Sequence, residues 1–434
     1  MNVQGLRRVR SPFSLSPTGI IFKPMRRLSF IIMVLLVALT QVPAVSVNGN
    51  RESYSFDSIP MLEKWYDESD DGSLDYWDRC TVSLLTISQG DPLYSWFGHS
   101  ALMVTTPEGR NIAFDYGTFS FADDDFIMNF VMGRLWFLTT SFSADLEMRA
   151  LEMEGRSATK VVLPLTAEQK KAVIGFLDIN VLQENRTYLY HHYNDNCATR
   201  LRDIIDFTTG GDFKRWAQAQ SGLTFRQQAS RSLSRNPMVQ WLLEFLQSGR
   251  IDREATLWDE MFLPVNLEKA VMEYYGLEST PAAGKGGNDI PDTPHGNILF
   301  SVVTGLILCC VPGLMLLLGK GRKTAWYITT GVIYVVFALM GSLLFFMMVF
   351  TNHDVTWMNE NILFVNPLLL VLAIFAFRRS PKFTLLSRIY LSTIALYSIV
   401  KLIIPGILVQ ANLPVIIVMA MLAIPGAIGP RRQD

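Results

Sequence analysis

"GHSALMVTTPEGRNIAFDYG" occupies residues 98–117. Apolar and β-branched residues flank Pro-Glu-Gly-Arg at 107–110, which predicts two strands joined by a turn. A simple hairpin sets Asp115 opposite Ala101, on the face of His99 and one diagonal away. A slip of one residue turns Asp115 to the other face and brings Tyr116 into its place. "CTVSLLTIS" (80–88) supplies a further strand. Downstream the spacing becomes helical, in "TAEQKKAVIGFLDINVLQ" with its Thr cap, "CATRLRDIIDF", "NPMVQWLLEFLQS" and "NLEKAVMEYY". A strand meander followed by helices makes an α+β domain.

"YNDNCATRLRDIID" (193–206) carries the chemistry. Asn194, Asp195 and Asn196 are all good N-caps, so Cys197 falls in the first helical turn. There the dipole and free N–H groups favour a thiolate. Arg200, one turn on, adds positive charge on the same side. Leu201 and Ile205 continue a stripe that buries the helix and leaves Cys197 at its open end. A thiolate nucleophile needs a base, and the histidines are His99, His191, His192, His295 and His353. His99 stands at a strand edge after Gly98, and a strand presenting an imidazole to a helix N-terminus is the arrangement of papain-like thiol enzymes. His191 and His192 sit too near Cys197 in sequence to be its natural partners, though one can line the site. Asp115 is the third residue, orienting His99, with Tyr116 as the alternative. The competing reading of Cys80 and Cys197 is a disulfide. Cys309 and Cys310 lie inside an apolar run and read as packing residues. Scattered histidines without a Cys-x-x-Cys pair give no metal site, and no cofactor is expected.

The 434 residues carry a net charge of -1; 50% are hydrophobic, 18% are charged, and the mean hydropathy is +0.24. That is too apolar for an ordinary soluble protein and too polar for a pure membrane bundle, so a soluble domain joined to a membrane domain is expected. A near-zero charge gives no argument for nucleic acid. Residues 28–47 form an apolar run after Arg26 and Arg27. This is a signal peptide or an uncleaved anchor, with Ala44 and Ser46 at a cleavage site and Met25 as an alternative start. Five more runs, at 298–318, 325–350, 362–377, 383–405 and 413–428, approach the ~20 residues a bilayer needs. "KGRK" (320–323), "RRSPK" (378–382), Arg431 and Arg432 fall on one side of them, and "TNHDVTWMNEN" and "VQAN", without Lys or Arg, on the other. The positive-inside rule puts the basic loops in the cytoplasm. The expected layout is a signal or anchor over 1–48, a domain outside the inner membrane over 49–278, a linker over 279–297, and five spans over 298–434. In a bacterium, outside means the periplasm.

Six stretches then occur in a telling order: "YSWFGHSALMV", "FDYGTFSFADDDF", "ENRTYLYHHYNDNCATRLRDII", "LTFRQ", "DREATLWDEMFLPVNLEKA" and "HDVTWMNENILFVNPL". Together they resemble the Lnb family of bacterial lipoprotein N-acyltransferases, over about residues 80–366. The order of His before Cys also resembles circularly permuted papain-like thiol enzymes of the NlpC/P60 and LRAT-like kinds. The resemblance implies a periplasmic catalytic domain, a transmembrane domain, and transfer of an acyl chain from a membrane phospholipid. The acceptor is the α-amino group of the lipidated N-terminal cysteine of a diacyl lipoprotein. By motif match His99 and Cys197 carry over as the catalytic pair. The family often has Asn where Asp115 stands, and an orienting side chain of either kind serves.

On that reading Cys197 attacks the phospholipid ester, a thioester remains, and the amine takes the acyl chain. The Cys197 N–H and Asn196 are the expected oxyanion donors. "LWDEMFLPV" (257–265), including Phe262, is expected to line an acyl groove or form a lid. The outer loop, with His353, Trp357, Asn359 and Asn361, is expected to meet headgroups or acceptor peptide. Arg226 reads as a headgroup contact or as half of an ion pair with Asp252. The rival functions are a thiol hydrolase (cell-wall peptidase, amidase or phospholipase) and a non-catalytic lipoprotein-binding scaffold.

Overall fold

The computed structural model describes residues 74–119, 125–284, 290–294, 296–317, 323–404 and 406–429. The N-terminal apolar run, Met25 and the cleavage site lie outside the described residues, as do His295, Arg431 and Arg432.

The hairpin forms in the expected register. Strands β1 (Thr81–Ile87), β2 (His99–Thr105) and β3 (Asn111–Thr118) are antiparallel neighbours, and Ala101 pairs with Asp115, Leu102 with Phe114. Gly109, at φ 77°, closes the turn, and its N–H donates to the Thr106 carbonyl at 2.9 Å. Leu84, Leu102, Val104 and Phe114 are buried in one core. A one-residue slip would turn such side chains outward at roughly 1.5–3 kcal/mol each, so burial fixes the register.

The sheet extends through β4 (Trp136–Ser143), β5 (Ala158–Val162) and β6 (Thr187–Leu189). A separate pair is formed by β7 (Gln220–Thr224) and β8 (Glu254–Thr256), and β9 (Thr280–Ala283) returns to the main sheet. The order is β6-β4-β3-β2-β1-β5-β9, with each neighbouring pair antiparallel. The expected succession of strands then helices therefore holds only in part, since helices are interleaved with the strands from β4 onward. The expected linker also begins as a sheet edge, with Ala283 paired to Ala158. Pro281 is tolerated there because an edge strand loses no ladder bond on its outer side.

The helices used below are α1 (Phe126–Met132), α2 (Ala167–Asn180), α3 (Cys197–Thr208), α4 (Phe225–Leu233), α5 (Pro237–Leu246) and α6 (Pro264–Tyr275). A Thr166–Gln169 capping box opens α2, and Asn236 with Pro237 at N1 opens α5. Helix α3 lays Ala198, Leu201 and Ile205 into the core against β2 and β3.

Beyond them run α7 (Ile298–Leu317), α8 (Lys323–Phe350), α9 (Leu369–Phe377), α10 (Lys382–Ile403) and α11 (Leu413–Ile428). Among the described residues α7, α8 and α10 are long and apolar enough to cross a membrane, and α11 is a shorter apolar helix. The run expected at 362–377 is α-helical only over its last nine residues, after a 3-10 turn at Glu360–Leu363. Pro367 supplies no N–H and disfavours helix in the residue before it. The middle of the irregular stretch is packed, with Phe364 and Val365 fully buried. Tyr390 Oη donates to the Phe364 carbonyl at 2.8 Å. Gly341 makes room for it, since a Cβ there would meet Asn366 N at 2.5 Å. Non-helical backbone beside a bilayer survives only where protein covers it in this way. Helix α5 packs against α7 and α11 and so joins the sheet domain to the helical region.

Candidate active site

The local sequence builds the start of α3. Asn196 Oδ1 accepts from the N–H groups of Ala198 and Thr199, both at 2.9 Å, and Thr199 Oγ1 accepts from the Asn196 N–H at 2.8 Å. This box makes Cys197 the first helical residue, whose own N–H has no acceptor within the helix. Cys197 is 8% exposed, and it and the buried Cys80 are both free thiols, so the disulfide reading does not hold.

Gly98 delivers His99 to the same point. It adopts φ 74°, and a Cβ there would stand 2.9 Å from the Ile87 carbonyl oxygen, so the turn into β2 needs glycine. His99 Nε2 hydrogen-bonds Asp115 Oδ1. Thr118 Oγ1 donates to Asp115 Oδ2 at 3.0 Å and shares a 2.7 Å hydrogen bond with Thr140 Oγ1. The imidazole lies over Gly117, where a Cβ would be 2.9 Å from His99 Cε1. Its other nitrogen is left for Cys197, which lines the same cleft. Burial alone would lower the His99 pKa, but the charges of Asp115 and Cys197 and their hydrogen bonds outweigh it and hold the imidazole well above its usual range. Asp115 thus favours the charged form of the ring.

Cys197, His99 and Asp115 line one cleft of about 290 Å³. Phe119, Phe126, Phe130, Phe137 and Tyr190 form an aromatic wall beside them. His192 lines it too, its ring edge-on to Phe97 at 4.4 Å and to Phe262 at 5.6 Å. Burial, then the charge of His191, lowers its pKa to about 3, so His192 is neutral. Its Nε2 is sealed from solvent and without a hydrogen-bond partner among the described residues.

A family model for the Lnb N-terminal periplasmic domain matches residues 65–231, and one for the Lnb transmembrane domain matches 297–429. The chain belongs to the Lnb family. Neither a curated protein nor a solved structure matches it. This Lnb-family chain is a membrane-anchored protein of lipoprotein processing, with its N-terminal domain on the periplasmic side.

Several residues expected at the site do other work. Both Asn196 Nδ2 hydrogens are spent on carbonyls, those of His192 at 2.6 Å and Phe262 at 2.9 Å, which leaves none for an oxyanion. Arg200 makes a bidentate pair with Asp195 (2.6 and 3.0 Å) and lies 3.8 Å over the Tyr188 ring, so its charge is neutralised before it reaches Cys197. Tyr116 is fully buried, and its hydroxyl donates to Asn180 Oδ1 at 3.4 Å rather than to His99. Phe262 packs on Tyr193 and Phe225 and shows only an edge to the cleft, while Met261 and Leu263 are in the core, so this stretch is no lid. Arg226 is buried and bonded to Asp252 at 2.6 and 3.0 Å and to the carbonyls of Glu244, Gln247 and Ser248, so it meets no headgroup.

The outer loop is likewise a fastening rather than a lining. His353, Asn359 and Asn361 are at most 1% exposed. The Nδ2 groups of Asn359 and Asn361 donate to the Phe245 carbonyl at 3.0 and 2.9 Å. Trp357 donates to the Thr351 carbonyl at 3.4 Å and lies against Arg250. His191 Nε2 meets Asp354 Oδ1 at 3.2 Å, while its Nδ1 accepts the Tyr193 and Asn194 N–H groups. The loop that carries Cys197 is thus tied to the loop after α8. Sequence reasoning missed Thr118, Thr140, Gly117 and this role of His191. Only "HH" beside "NDNC" carried any signal of the last.

Proposed function

We propose that the chain transfers an acyl chain from a membrane phospholipid to the α-amino group of a lipoprotein's lipidated N-terminal cysteine, through a thioester on Cys197. The observation that carries the reading is His99, hydrogen-bonded to Asp115, sharing one aromatic cleft with Cys197 in a chain that belongs to the Lnb family. The strand–helix arrangement, His99 before Cys197, is that of a circularly permuted papain-like enzyme. The domain limits are those expected above, except that the sheet domain extends through β9 to Ala283, with all five C-terminal helices reckoned as spans.

With the proton on His99, the Cys197 thiolate attacks the ester carbonyl of the phospholipid. The Cys197 N–H donates to the oxyanion. As the tetrahedral intermediate collapses, the ester C–O bond breaks and His99 protonates the leaving oxygen of the lysophospholipid. The thioester has now removed the thiolate charge, and His99 is neutral. It takes a proton from the incoming amine, the amide C–N bond forms, and Cys197 leaves as thiolate. Water competes with the amine for the thioester, so transfer requires the dry cleft.

The test is Cys197→Ser against wild type in cells depleted of their own N-acyltransferase, with the N-terminal peptide of a lipoprotein read by mass spectrometry. Wild type is expected to give the acyl amide and the variant a free amine. A free amine with well-expressed wild type would sink the transferase reading. Amide made equally by the variant would remove Cys197 from it.

A further inference from the structure

Helix α1 has two apolar faces. Phe126 and Phe130, one turn apart, point into the cleft, and Phe130 is 5% exposed. Ile127 and Met128 point outward at 65% and 64%, and Trp136, just beyond the helix, is 54% exposed. Large apolar side chains gathered outside a core mark a surface that meets something apolar. The position of α1 identifies what it meets. Its end is pinned to the exit of the candidate span α8, where the Asn352 N–H donates to the Met132 carbonyl at 2.9 Å. Gly133 caps the helix at φ 73°, and a Cβ there would lie 3.0 Å from the Asn352 carbonyl carbon. The last turn of α8 exposes Val349 at 55% and Phe350 at 59%. The outer face of α1 thus continues the apolar surface of a membrane helix at the level where that helix ends.

The inner face leads to the nucleophile. Phe126 stacks on Phe119, Phe119 on Phe137 at 4.9 Å, and Phe137 on Tyr190 at 4.4 Å. Tyr190 and Cys197 line the same cleft, so this wall leads towards the sulfur.

We propose that α1 and Trp136 dip into the outer leaflet and form the portal through which a phospholipid acyl chain slides along the Phe126–Phe119–Phe137–Tyr190 wall to Cys197. Trp136 sits at headgroup depth, as aromatic side chains do at bilayer interfaces. The use of the portal rests on the proposed acyl transfer, but its contact with lipid does not. The experiment places the full-length protein in phosphatidylethanolamine–phosphatidylglycerol nanodiscs containing a phosphatidylcholine with a diazirine in its acyl chain. Light-driven adducts are mapped by peptide mass spectrometry. Adducts are expected on residues 126–137 as well as on α8. Ile127→Asp/Met128→Asp is expected to lose the former and to slow consumption of bilayer phospholipid at least tenfold, with Cys197 alkylation by iodoacetamide unchanged. Adducts on α8 with none on 126–137 would overturn the portal, as would adducts that link two copies through α1. Lipid adducts at 126–137 in a wild type that transfers no acyl chain would keep the portal and remove the transferase.

Discussion

Replacing Gly117 by alanine adds one methyl group, and that methyl lands 2.9 Å from His99 Cε1. Ordinary contact begins at 3.4 Å, so the imidazole must retreat by about 0.5 Å. The backbone has no objection, because Gly117 lies within β3 and is not at positive φ. Stability should therefore change by less than about 1 kcal/mol. The reacting geometry is less forgiving. A misplacement of about 1 Å costs on the order of 10²-fold, so half of that should cost roughly tenfold in rate, or ~1.4 kcal/mol of barrier. The assay is the initial rate of N-acylation of a diacylated lipopeptide in proteoliposomes, followed by mass spectrometry, with the melting temperature taken beside it. A Gly117→Ala protein that transfers at the wild-type rate would refute the seat of His99 over Gly117. One that fails to fold would refute the claim that only the ring has to move.

Three further variants test neighbouring contacts. Asp115→Asn removes the carboxylate that helps raise the His99 pKa. A raised folded-state pKa gives stability that is full below the unfolded value, about 6.5, and is lost as pH rises through the folded value. The melting-temperature gap between wild type and this variant should thus be widest at mildly acid pH and shrink in alkali; a gap that grows with pH would contradict the ion-pair account. His192→Phe keeps a ring between Phe97 and Phe262 but removes its nitrogens; because its Nε2 is sealed from solvent, rate and melting temperature should both stay near wild type, whereas a rate fall of about 10²-fold would show that the ring donates to the reacting oxygen. Arg226→Met leaves Asp252 as a buried unpaired carboxylate, so about 3–5 kcal/mol of stability should be lost; denaturant unfolding that reveals under ~1 kcal/mol would mean that Asp252 finds other partners.

The parts of the site that were legible in the sequence were those governed by local rules. Strand alternation and a short turn set Asp115 opposite Ala101 before any coordinates, and a run of good N-caps put Cys197 in the first turn of its helix. What stayed hidden depended on which distant surface covered each polar side chain. Asn359 and Asn361 look like solvated loop residues until the Phe245 carbonyl arrives, more than a hundred positions away in the chain. Arg200 looks like a charge for the thiolate until Asp195 folds back on it. Gly117 carries no signal at all, because its meaning is the ring that lies on it. The break at Pro367 was readable, but the length of the apolar run around it concealed the shortened helix.

The Cys–His–Asp geometry does not by itself separate a transferase from a hydrolase, since both need an activated thiol. The attachment of that geometry bears on the substrate instead. A soluble peptidase has no use for a nucleophile loop bonded to the loop that leaves a candidate span, yet His191 ties the segment before Cys197 to Asp354. Asp252 reaches from the Arg226 pair to the Ala411 N–H at 2.9 Å, and Gln410 bonds both Gln247 and Asn359. These contacts bury polar groups between the sheet domain and the helical region, and a buried polar group is costly unless its partner stays in place. They therefore hold the thiol at a fixed height relative to the apolar helices. A fixed height matters only if the substrate is fixed too, as a phospholipid and a lipid-anchored amine in one leaflet are. On this argument the fastenings, more than the triad, favour a lipid donor. If they were cut one by one, transfer from bilayer lipid should fail before the reactivity of Cys197 towards a small soluble reagent does.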